Sequence, residues 1–290
     1  MSRLMQWSGW VTLWICLFLT ACGQNNRNLG AELTPEEKSM PEAKYYSSDF
    51  APVPDEVMDG IALGSLPAEK ILPFRKINRM LKPGYLEVEN GYSLLDDGTA
   101  FIAVRTDMPG VTKEMLRWWS WWNFLEDVRY KIWCPGAHYS VEVEDKQRLA
   151  DESLSDEERF YKNPHYPVED VGSGPTNLSI RFVSPETFGF NVSDFSKNGI
   201  EGVTCAVVGF RNGQSTLEHT YMCHMFRKKG DGLELRSRFW LGKKLNMPNI
   251  RKMISTEDTA MDMAMHCTRE FNHLAGILPA VYDEFADQSY

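Results

Sequence analysis

The sequence predicts an α+β domain of the helix-grip type, in which a curved antiparallel sheet lies around a long C-terminal helix. Short runs rich in β-branched and aromatic residues follow one another between residues 85 and 242, separated by Gly, Asn, Asp or Pro clusters. Short connections between successive strands favour antiparallel pairing. A long helical pattern follows the last strand, and a helix in the curve of such a sheet would enclose a cavity.

The predicted strands are rich in the residue types that fit a pleated, partly buried surface. They occupy residues 85–89, 99–108, 138–144, 177–184, 202–211, 216–228 and 233–242. Turn sequences such as DDG, RNGQ and KKGDG lie between them. We therefore expect successive strands to be neighbours in one antiparallel sheet.

The first clear helix is predicted over residues 112–128. Thr112 can cap its N-terminus, and Glu114 lies in its first turn, where a carboxylate interacts favourably with the helix dipole. Four tryptophans lie on more than one face of this helix: Trp118, Trp119, Trp121 and Trp122. We expect other elements to enclose the helix on most sides, and we expect it to form a wall for a flat ligand.

The final helix is predicted to begin at Ser255, which has capping-box spacing to Asp258. It runs to about Leu278, because Pro279 is expected to stop or kink it. Its best apolar stripe consists of Ala260, Ala264, Cys267, Phe271, Leu274 and Leu278. We expect this stripe to face the sheet.

Composition and charge limit the classes of function. The 290 residues are 43% hydrophobic and 24% charged, as in an ordinary globular protein. The formal net charge of −9 argues against nucleic acid as a partner, because phosphate binding needs a basic surface. The polar segment 22–56 is expected to be a tether and an irregular lead-in, and no second linker follows it. Residues 57–290 are therefore expected to form one domain.

The N-terminus has the pattern of a bacterial lipoprotein signal. Arg3 precedes an apolar run over residues 10–19 that is short for a membrane span. Leu-Thr-Ala-Cys then resembles a lipobox, in which the cysteine is lipidated. We expect residues 1–21 to be a signal peptide and Cys22 to carry the lipid, with a plain signal peptide as the alternative. Gly23 favours the outer membrane of the cell envelope, facing the periplasm.

Four cysteines remain beyond this segment: Cys134, Cys205, Cys223 and Cys267. An oxidising periplasm would permit disulfides among them. No pair has a motif spacing, and four cysteines allow three connectivities. We therefore expect mostly free, buried thiols.

The stretch MHCTREFNH in the last helix contains a pair of residues with metal-ligand spacing. His266 and Glu270 are four residues apart and share one face of the helix. The pair alone is weak evidence, but its apolar neighbours indicate a sheltered position. Cys267 lies about 100° round the helix from His266 and is not an expected ligand. His273, one turn further, is expected to be exposed or to lie behind the site.

Other histidines and acids could complete such a site. His138 follows a Pro-Gly turn at the start of a predicted strand, whereas His165 and Glu169 lie in a predicted Pro-flanked loop. His219 and His224 are an odd number of residues apart, so they are expected on opposite faces of one strand. We expect His165 and His219 to be exposed or to lie behind the site.

Several motifs in the same order resemble the 2,4-diacetylphloroglucinol hydrolase family, to which phloretin hydrolase is related. They are TDMPGVTKEMLRWWSWW, RYKIWCPGAHY, PVED and HCTRE, and the resemblance covers about residues 60 to 285. It implies a Bet v1-like helix-grip fold and a zinc ion held by His138, Glu169, His266 and Glu270. Two imidazoles and two carboxylates suit Zn²⁺ in a mixed nitrogen and oxygen site.

The resemblance implies a hydrolase that cleaves the carbon–carbon bond between an acyl carbonyl and a phenolic ring of a small aromatic ketone. Zinc-activated water would be the nucleophile. Tyr130 matches a family tyrosine that hydrogen-bonds a phenol hydroxyl. His224 matches a family histidine near the substrate, which could act as a catalytic acid or base. The resemblance also implies that the chain could form a homodimer.

Two positions depart from the family pattern. Val141 stands where the family enzyme has a substrate-binding asparagine, and Phe239 stands near the place of a second substrate-binding tyrosine. Both changes remove polar contacts, so we expect a related reaction on a different, less hydroxylated substrate. Two alternatives stay open: a lipoprotein that binds a hydrophobic molecule in the cavity, and a zinc hydrolase of an ester or amide.

Overall fold

One curved sheet of eight antiparallel strands is the central element of the computed structural model, which describes residues 31–288. The strands are β1 (Gly91–Leu94), β2 (Ala100–Met108), β3 (His138–Val143), β4 (His165–Asp170), β5 (Pro175–Val183), β6 (Ile200–Asn212), β7 (Ser215–Lys229) and β8 (Gly232–Leu241). Their order in the sheet is β1-β2-β8-β7-β6-β5-β4-β3. The predicted signal peptide, residues 1–21, and Cys22 lie outside the described residues.

Helices pack on the sheet and connect its strands. The α-helices are α1 (Asp55–Ala62), α2 (Lys113–Trp122), α3 (Asp127–Trp133), α4 (Lys146–Ala150), α5 (Pro185–Phe188), α6 (Pro248–Ile254) and α7 (Glu257–Phe285). Short 3₁₀ segments occur at Glu37–Ser39, Pro41–Tyr45, Phe74–Leu81, Val192–Asp194 and Ser196–Asn198, and Glu157–Tyr161 forms a π-helix. The 29-residue α7 packs against β1 and β2. The expected α+β helix-grip fold is confirmed.

Six predicted strands are confirmed to within three residues at each end, and the strand predicted over residues 85–89 is wrong. Glu89 explains the error, because its carboxylate accepts a hydrogen bond from the Leu86 N–H at 2.7 Å and the segment turns back on itself. The same carboxylate binds Arg236 and Arg238 of β8. The chain enters the sheet only after this turn, at β1, which the sequence analysis did not predict.

The predicted loop around Glu169 is also wrong, because residues 165–170 form β4. Pro167 has no N–H to donate, and it was the reason to expect a loop. Pairing with β5 is recorded on both sides of this proline, at His165 and Val168, so the strand tolerates it. Glu169 therefore has the fixed position of a strand residue.

The tryptophan-rich helix is shorter than predicted, and the predicted span 112–128 divides into α2 and α3. Thr112 caps α2 as expected, since its hydroxyl accepts from the Met115 N–H at 3.3 Å. Buried Asn123 donates its side-chain amide to the Trp119 carbonyl, a local bond that competes with continuation of the helix. The tryptophans Trp118, Trp119, Trp121 and Trp122 are all buried, as predicted.

The N-cap of the long helix α7 lies one residue later than predicted, and the helix continues past Pro279. Thr256, rather than Ser255, caps it by accepting from the Thr259 N–H at 3.1 Å. Pro279 was expected to stop or kink the helix, but the helix continues to Phe285. Side chains on both sides of the proline are fully buried, including Leu278 and Val281, and this packing outweighs one lost backbone hydrogen bond.

Two apolar layers lie on the two faces of the sheet. One fills the space between the sheet, α2, α3 and α7, and the other is covered by residues 71–88. Residues 31–56 of the lead-in pack on the first layer, where buried Glu42 accepts from Arg129 at 2.9 Å. Tyr45 donates to Glu284 of α7 at 2.8 Å.

The cysteines Cys134, Cys205, Cys223 and Cys267 are free and buried in the described part of the chain, as predicted. Burial raises the pKa of each thiol. Within residues 31–288, no helix combines the length and the apolar character that crossing a membrane requires.

Candidate metal centre and cavity

Three distant parts of the chain bring the four predicted metal ligands together. His138 is the first residue of β3 and lies opposite Glu169 of β4 in the sheet register. The register shifts directly after His138, which marks a local irregularity of β3. His266 and Glu270 lie one turn apart on the buried side of α7.

The side chains meet at distances suited to a shared ion. The ligand atoms of His138, His266 and Glu270 lie within 4.8 Å of one another. The Glu270 Oε2 atom is 3.7 Å from Nε2 of His138 and 3.9 Å from Nε2 of His266. Glu169 adjoins this group, with Oε2 at 3.8 Å from Nε2 of His266. Three of the four predicted ligands therefore form one compact group, and the fourth lies at its edge.

The His138 ring is held so that one nitrogen is free for a ligand. Its Nδ1 lies 3.1 Å from the Tyr130 carbonyl oxygen, and the ring stacks on the Tyr130 ring with centroids 4.2 Å apart. Trp133 packs edge-on against the same imidazole. The fully buried Nε2 finds no hydrogen-bond partner among residues 31–288. A buried imidazole nitrogen without a partner is destabilising unless it binds something, and a metal ion fits this position.

Burial dominates the electrostatics of the group. It raises the pKa of Glu169 to about 7 and the pKa of Glu270 well above its usual value, and nearby Glu169 raises that of Glu270 further. It lowers the pKa of His266 to about 4 and that of His138 well below its usual value. Burial therefore favours the neutral form of all four groups. A divalent cation among them would favour the ionised form of the two carboxylates and can bind the neutral imidazoles.

The group lies at the wall of a cavity of about 770 Å³ between the sheet and α7. The walls are largely aromatic and include Trp119, Phe124, Phe182, Phe210, Phe239 and Phe271. The cavity is also lined by Glu169, His266 and Glu270, and His138 is not among its lining residues in the described part of the chain. Its size and mostly apolar walls with a few convergent polar groups are typical of a small-molecule site.

Tyr130 and His224 both lie at this cavity. The Tyr130 hydroxyl donates to Oε1 of Glu169, and burial raises the pKa of Tyr130 well above its usual value. The Nδ1 atom of His224 lies 2.8 Å from the Ser237 hydroxyl, and its ring packs 4.9 Å from Phe271. Burial lowers the pKa of His224 to about 3, so its ring is neutral at neutral pH.

The histidines expected to be exposed or behind the site are all buried. His165 lies between Phe124 and Phe182 in an aromatic environment, and His273 packs against Phe50. Neither lines the cavity within the described part of the chain. The expectation of exposure was therefore wrong, whereas a position outside the ligand group agrees with the structure.

His219 and His224 both line the cavity, contrary to the prediction that they occupy opposite faces of β7. A β-bulge causes the difference. Val208 of β6 pairs with Thr220 and Gly209 pairs with Glu218, so His219 is the extra residue between them. One extra residue reverses the alternation of side chains, which simple counting along the strand assumes.

The two departures from the family pattern occupy different places. Phe239 lines the cavity, where its ring lies 5.7 Å from that of His224. Val141 is buried in the core, and its N–H donates to Asp127 at 2.8 Å. The π-helix, whose Phe160 and Tyr161 also line the cavity, was not predicted. No periodic signal marks that segment, although π-helices are frequent at functional sites.

Known proteins resemble the chain over most of its length. The profile of the DAPG hydrolase PhiG domain matches residues 71–283. The chain is 35% identical over 264 residues to 2,4-diacetylphloroglucinol hydrolase of Pseudomonas protegens, covering 86% of this chain and 85% of that protein. It is 35% identical over 260 residues to phloretin hydrolase of Eubacterium ramulus, covering 87% of this chain and 93% of that protein. The crystal structure of Ara h 8.0201 is 7% identical, covers 63% of this chain and 99% of that chain, and gives a TM-score of 0.40.

The matched segment contains the whole ligand group, the cavity-lining part of α7 and both β3 and β4. The similarity to the two hydrolases extends over more than four-fifths of each of them. The chain therefore belongs to the 2,4-diacetylphloroglucinol hydrolase family.

Proposed function

We propose that the chain is a zinc-dependent hydrolase that cleaves the carbon–carbon bond between an acyl carbonyl and a phenolic ring. The observation that carries this proposal is the buried histidine and glutamate group at the wall of an aromatic cavity. The names of its relatives, hydrolases of 2,4-diacetylphloroglucinol and of phloretin, support an acylated phenol as substrate. In the overall reaction, water adds its hydroxyl to the acyl carbon and a proton to the ring carbon, giving a carboxylic acid and a free arene.

His138, His266, Glu270 and Glu169 would hold the ion. Two imidazole nitrogens and carboxylate oxygens are a donor set that zinc binds. A bound zinc ion supplies Lewis acidity towards the acyl carbonyl and activates water. The partnerless Nε2 of His138 within residues 31–288 supports this assignment, and the Tyr130 carbonyl would orient the ring.

Tyr130 positions Glu169 and presents a hydroxyl to the cavity. Because burial keeps its pKa high, the hydroxyl stays protonated and can donate to a carboxylate or to a phenol oxygen. Charge that develops on the leaving ring needs such a donor, since the ring carbon leaves as a carbanion equivalent. Tyr130 is therefore assigned as the hydrogen-bond donor to the substrate ring.

His224 is assigned as a neutral partner of the substrate. Ser237 occupies its Nδ1, so Nε2 is the nitrogen left to accept or donate a hydrogen bond. Burial lowers its pKa to about 3, so its ring is neutral at neutral pH and suits the relay of a proton rather than its storage. Its neighbours Phe239 and Phe271 are apolar, and this favours a ring with fewer hydroxyls on that side.

Metal analysis of the purified chain tests the proposal directly. We expect about one zinc ion per chain and a large loss of zinc in Glu270→Ala, because one ligand of the group is gone. Asp283→Ala, at an exposed position of the same helix, is the matched control and should keep its zinc. No zinc in the parent protein, or equal zinc in the Glu270→Ala variant, would refute the site.

Measurement of substrate turnover distinguishes an enzyme from a protein that only binds the ketone. We expect release of the carboxylic acid from acylphloroglucinols or simpler acylphenols, lost with chelator and restored by zinc. A chain that binds these ketones without cleaving them would instead support the second candidate, a hydrophobic-ligand-binding protein, which the large apolar cavity favours. Cleavage of phenyl esters or anilides alone would support the ester or amide alternative.

We also propose that Cys22 is lipidated and that the lipid anchors the protein at the outer membrane, facing the periplasm. The proposal rests on the lipobox-like Leu-Thr-Ala-Cys sequence and on Gly23. The mass of the mature N-terminal peptide should include acyl chains on Cys22, and Cys22→Ser should abolish them. An unmodified mature N-terminus elsewhere in the chain would contradict this proposal.

A further inference from the structure

The cavity extends well beyond the metal group along β7. His224 lines it close to the group, and His219 lines it five residues earlier in the same strand. At about 3.3 Å per residue, their Cα atoms are on the order of 15 Å apart. An aromatic ring with a short acyl group spans roughly half of this distance at about 1.5 Å per carbon–carbon bond. Such a substrate at the metal group would leave the far part of the cavity unfilled.

His219 lies in this far part, near the start of α7. Its ring lies against the Phe210 ring with centroids 4.2 Å apart. Phe210 also packs on the small apolar cluster that contains Ile254 of α6, two residues before the Thr256 cap of α7. The far end of the cavity therefore has aromatic and apolar walls, and its polar lining consists of His219 and Thr220 on β7 and of Thr256, Asp258 and Thr259 at the start of α7.

His219 is fixed, buried and incompletely hydrogen-bonded. Its Nδ1 lies 2.6 Å from the Thr220 hydroxyl, which holds the ring in one orientation. Its side chain is more than nine-tenths buried, and its Nε2 has no hydrogen-bond partner within the described chain. A buried ring nitrogen left without a partner is unfavourable by itself, so it points to a ligand that supplies one.

The backbone is shaped to place His219 at this position. The bulge inserts His219 between residues that pair with Val208 and Gly209, and this turns its side chain to the cavity. A Cβ at Gly209 would lie 2.7 Å from the Leu217 carbonyl oxygen, so the bulge requires glycine at that position. Bulges commonly re-aim a side chain beside a functional site.

We propose that His219 and Thr220 form a second polar subsite, which binds a hydroxyl or carbonyl group at the far end of an elongated aryl ketone. The proposal rests on the proposed function, because that function places the ketone carbonyl at the metal group and the phenolic ring beside Tyr130 and His224. The acyl arm then extends along β7 towards His219. The preferred substrates are aryl ketones whose acyl arm carries a hydrogen-bonding group, rather than simple acetyl arenes.

Equilibrium selectivity between two ligands tests the subsite. The ligands are phloretin, whose acyl arm ends in a hydroxyphenyl ring, and its analogue without that hydroxyl. Rapid mixing with the full chain, followed by tryptophan fluorescence, gives each Kd before turnover, since Trp119 and Trp133 line the cavity. We expect phloretin to bind about fivefold more tightly than the analogue, as one net hydrogen bond would give.

Variants test whether His219 causes this difference in affinity. His219→Leu should bind both ligands equally, with the Kd of the analogue unchanged, and His219→Gln should keep part of the preference. Met222→Leu, which alters another cavity-lining side chain of β7, should keep the full preference. Equal binding of both ligands by the parent chain, or full selectivity in His219→Leu, would overturn the subsite.

Loss of selectivity in Met222→Leu would overturn it as well. If His219→Leu does not fold, the Kd values of the two ligands for the parent chain and for His219→Gln decide the test. The test measures binding, so it is decided even if no ketone is cleaved. Absence of cleavage would count against the proposed function alone.

Discussion

Tyr130 joins two parts of the candidate site through different atoms. Its carbonyl oxygen faces Nδ1 of His138, its ring stacks on that imidazole, and its hydroxyl donates to Glu169. A substitution that removes only the hydroxyl separates these contributions. The backbone and ring contacts would hold the histidine, while the donor to carboxylate and substrate would be lost.

We therefore predict that Tyr130→Phe lowers kcat roughly 100-fold, the typical contribution of one positioned proton donor, with little loss of bound zinc. Tyr166→Phe removes a hydroxyl that bonds Glu144 at the protein surface and should leave kcat unchanged. Steady-state kinetics together with metal analysis of each variant provide the check. An unchanged kcat in Tyr130→Phe would exclude the donor role.

His165 should make stability depend on pH. Burial lowers the pKa of its folded-state imidazole to about 3, whereas the unfolded chain has an ordinary value near 6.5. Between these values the unfolded state binds more protons, so this contribution to stability is present above about pH 6.5 and is lost as the pH falls.

His165→Phe should remove that dependence, because phenylalanine fits between Phe124 and Phe182 without a titrating group. The slope of unfolding free energy against pH between 6 and 4 should decrease by up to about 1.4 kcal/mol per pH unit. Urea unfolding at several pH values measures it. Parallel curves for the parent and the variant over this range would contradict the assigned pKa direction.

At the residue scale, the sequence predicted the helical pair His266 and Glu270 from spacing alone, because helix geometry is regular. His138 and Glu169 were two of several candidates, and only the family resemblance selected them, since no local pattern relates a strand residue to a helix far along the chain. Of the two positions expected for His165 and His219, exposed or behind the site, exposure is wrong, because polarity does not reveal a buried aromatic environment. The side of β7 that His219 faces depends on a bulge.

At the element scale, Gly209 allows the β-bulge between β6 and β7 that turns His219 towards the cavity. We predict that Gly209→Ala lowers the free energy of unfolding by about 2 kcal/mol, because the new Cβ meets the Leu217 carbonyl at 2.7 Å. Gly202→Ala is the matched control in the same strand, since nothing in the described chain lies within 4 Å of a Cβ there. Chemical unfolding of both variants compares them, and equal stability of the two would show that the bulge accepts a side chain.

Six strands, α2 and α7 were predictable because their patterns are strong, whereas β1 and the short helices α1, α4, α5 and α6 were not predicted. The 85–89 segment has strand-like composition, but the Glu89 carboxylate binds the Leu86 N–H and the arginines of β8. The helix over 112–128 divides because Asn123 bonds its own preceding turn. Strand β4 was missed because Pro167 suggested a loop. In the first two cases a side-chain contact decides against the local propensity, and in β4 the pairing with β5 does so.

At the scale of the whole molecule, residues 31–56 of the lead-in belong to the packed structure. The buried pair of Glu42 and Arg129 and the exposed pair of Lys44 and Glu284 tie it to α3 and α7. Removing one partner of a buried ion pair is strongly destabilising, whereas exposed pairs contribute little. The two pairs therefore offer a comparison within one interface.

We predict that Glu42→Ala lowers the free energy of unfolding by about 3 kcal/mol. Glu284→Ala should have little effect, because that carboxylate is exposed. Thermal unfolding of the two variants, with the parent chain as reference, measures the difference. A stable Glu42→Ala protein would mean that the lead-in is dispensable and that the domain begins near residue 57.

The buried thiols have a consequence for the reactivity of the protein. Cys205 and Cys223 lie directly opposite each other on the central strands β6 and β7. Burial raises the pKa of Cys223 to about 12, and only the thiolate reacts readily with oxidants or alkylating agents. Packing would therefore protect these sulfur atoms from oxidation. Their first reaction with an alkylating agent would therefore report the opening of the middle of the sheet.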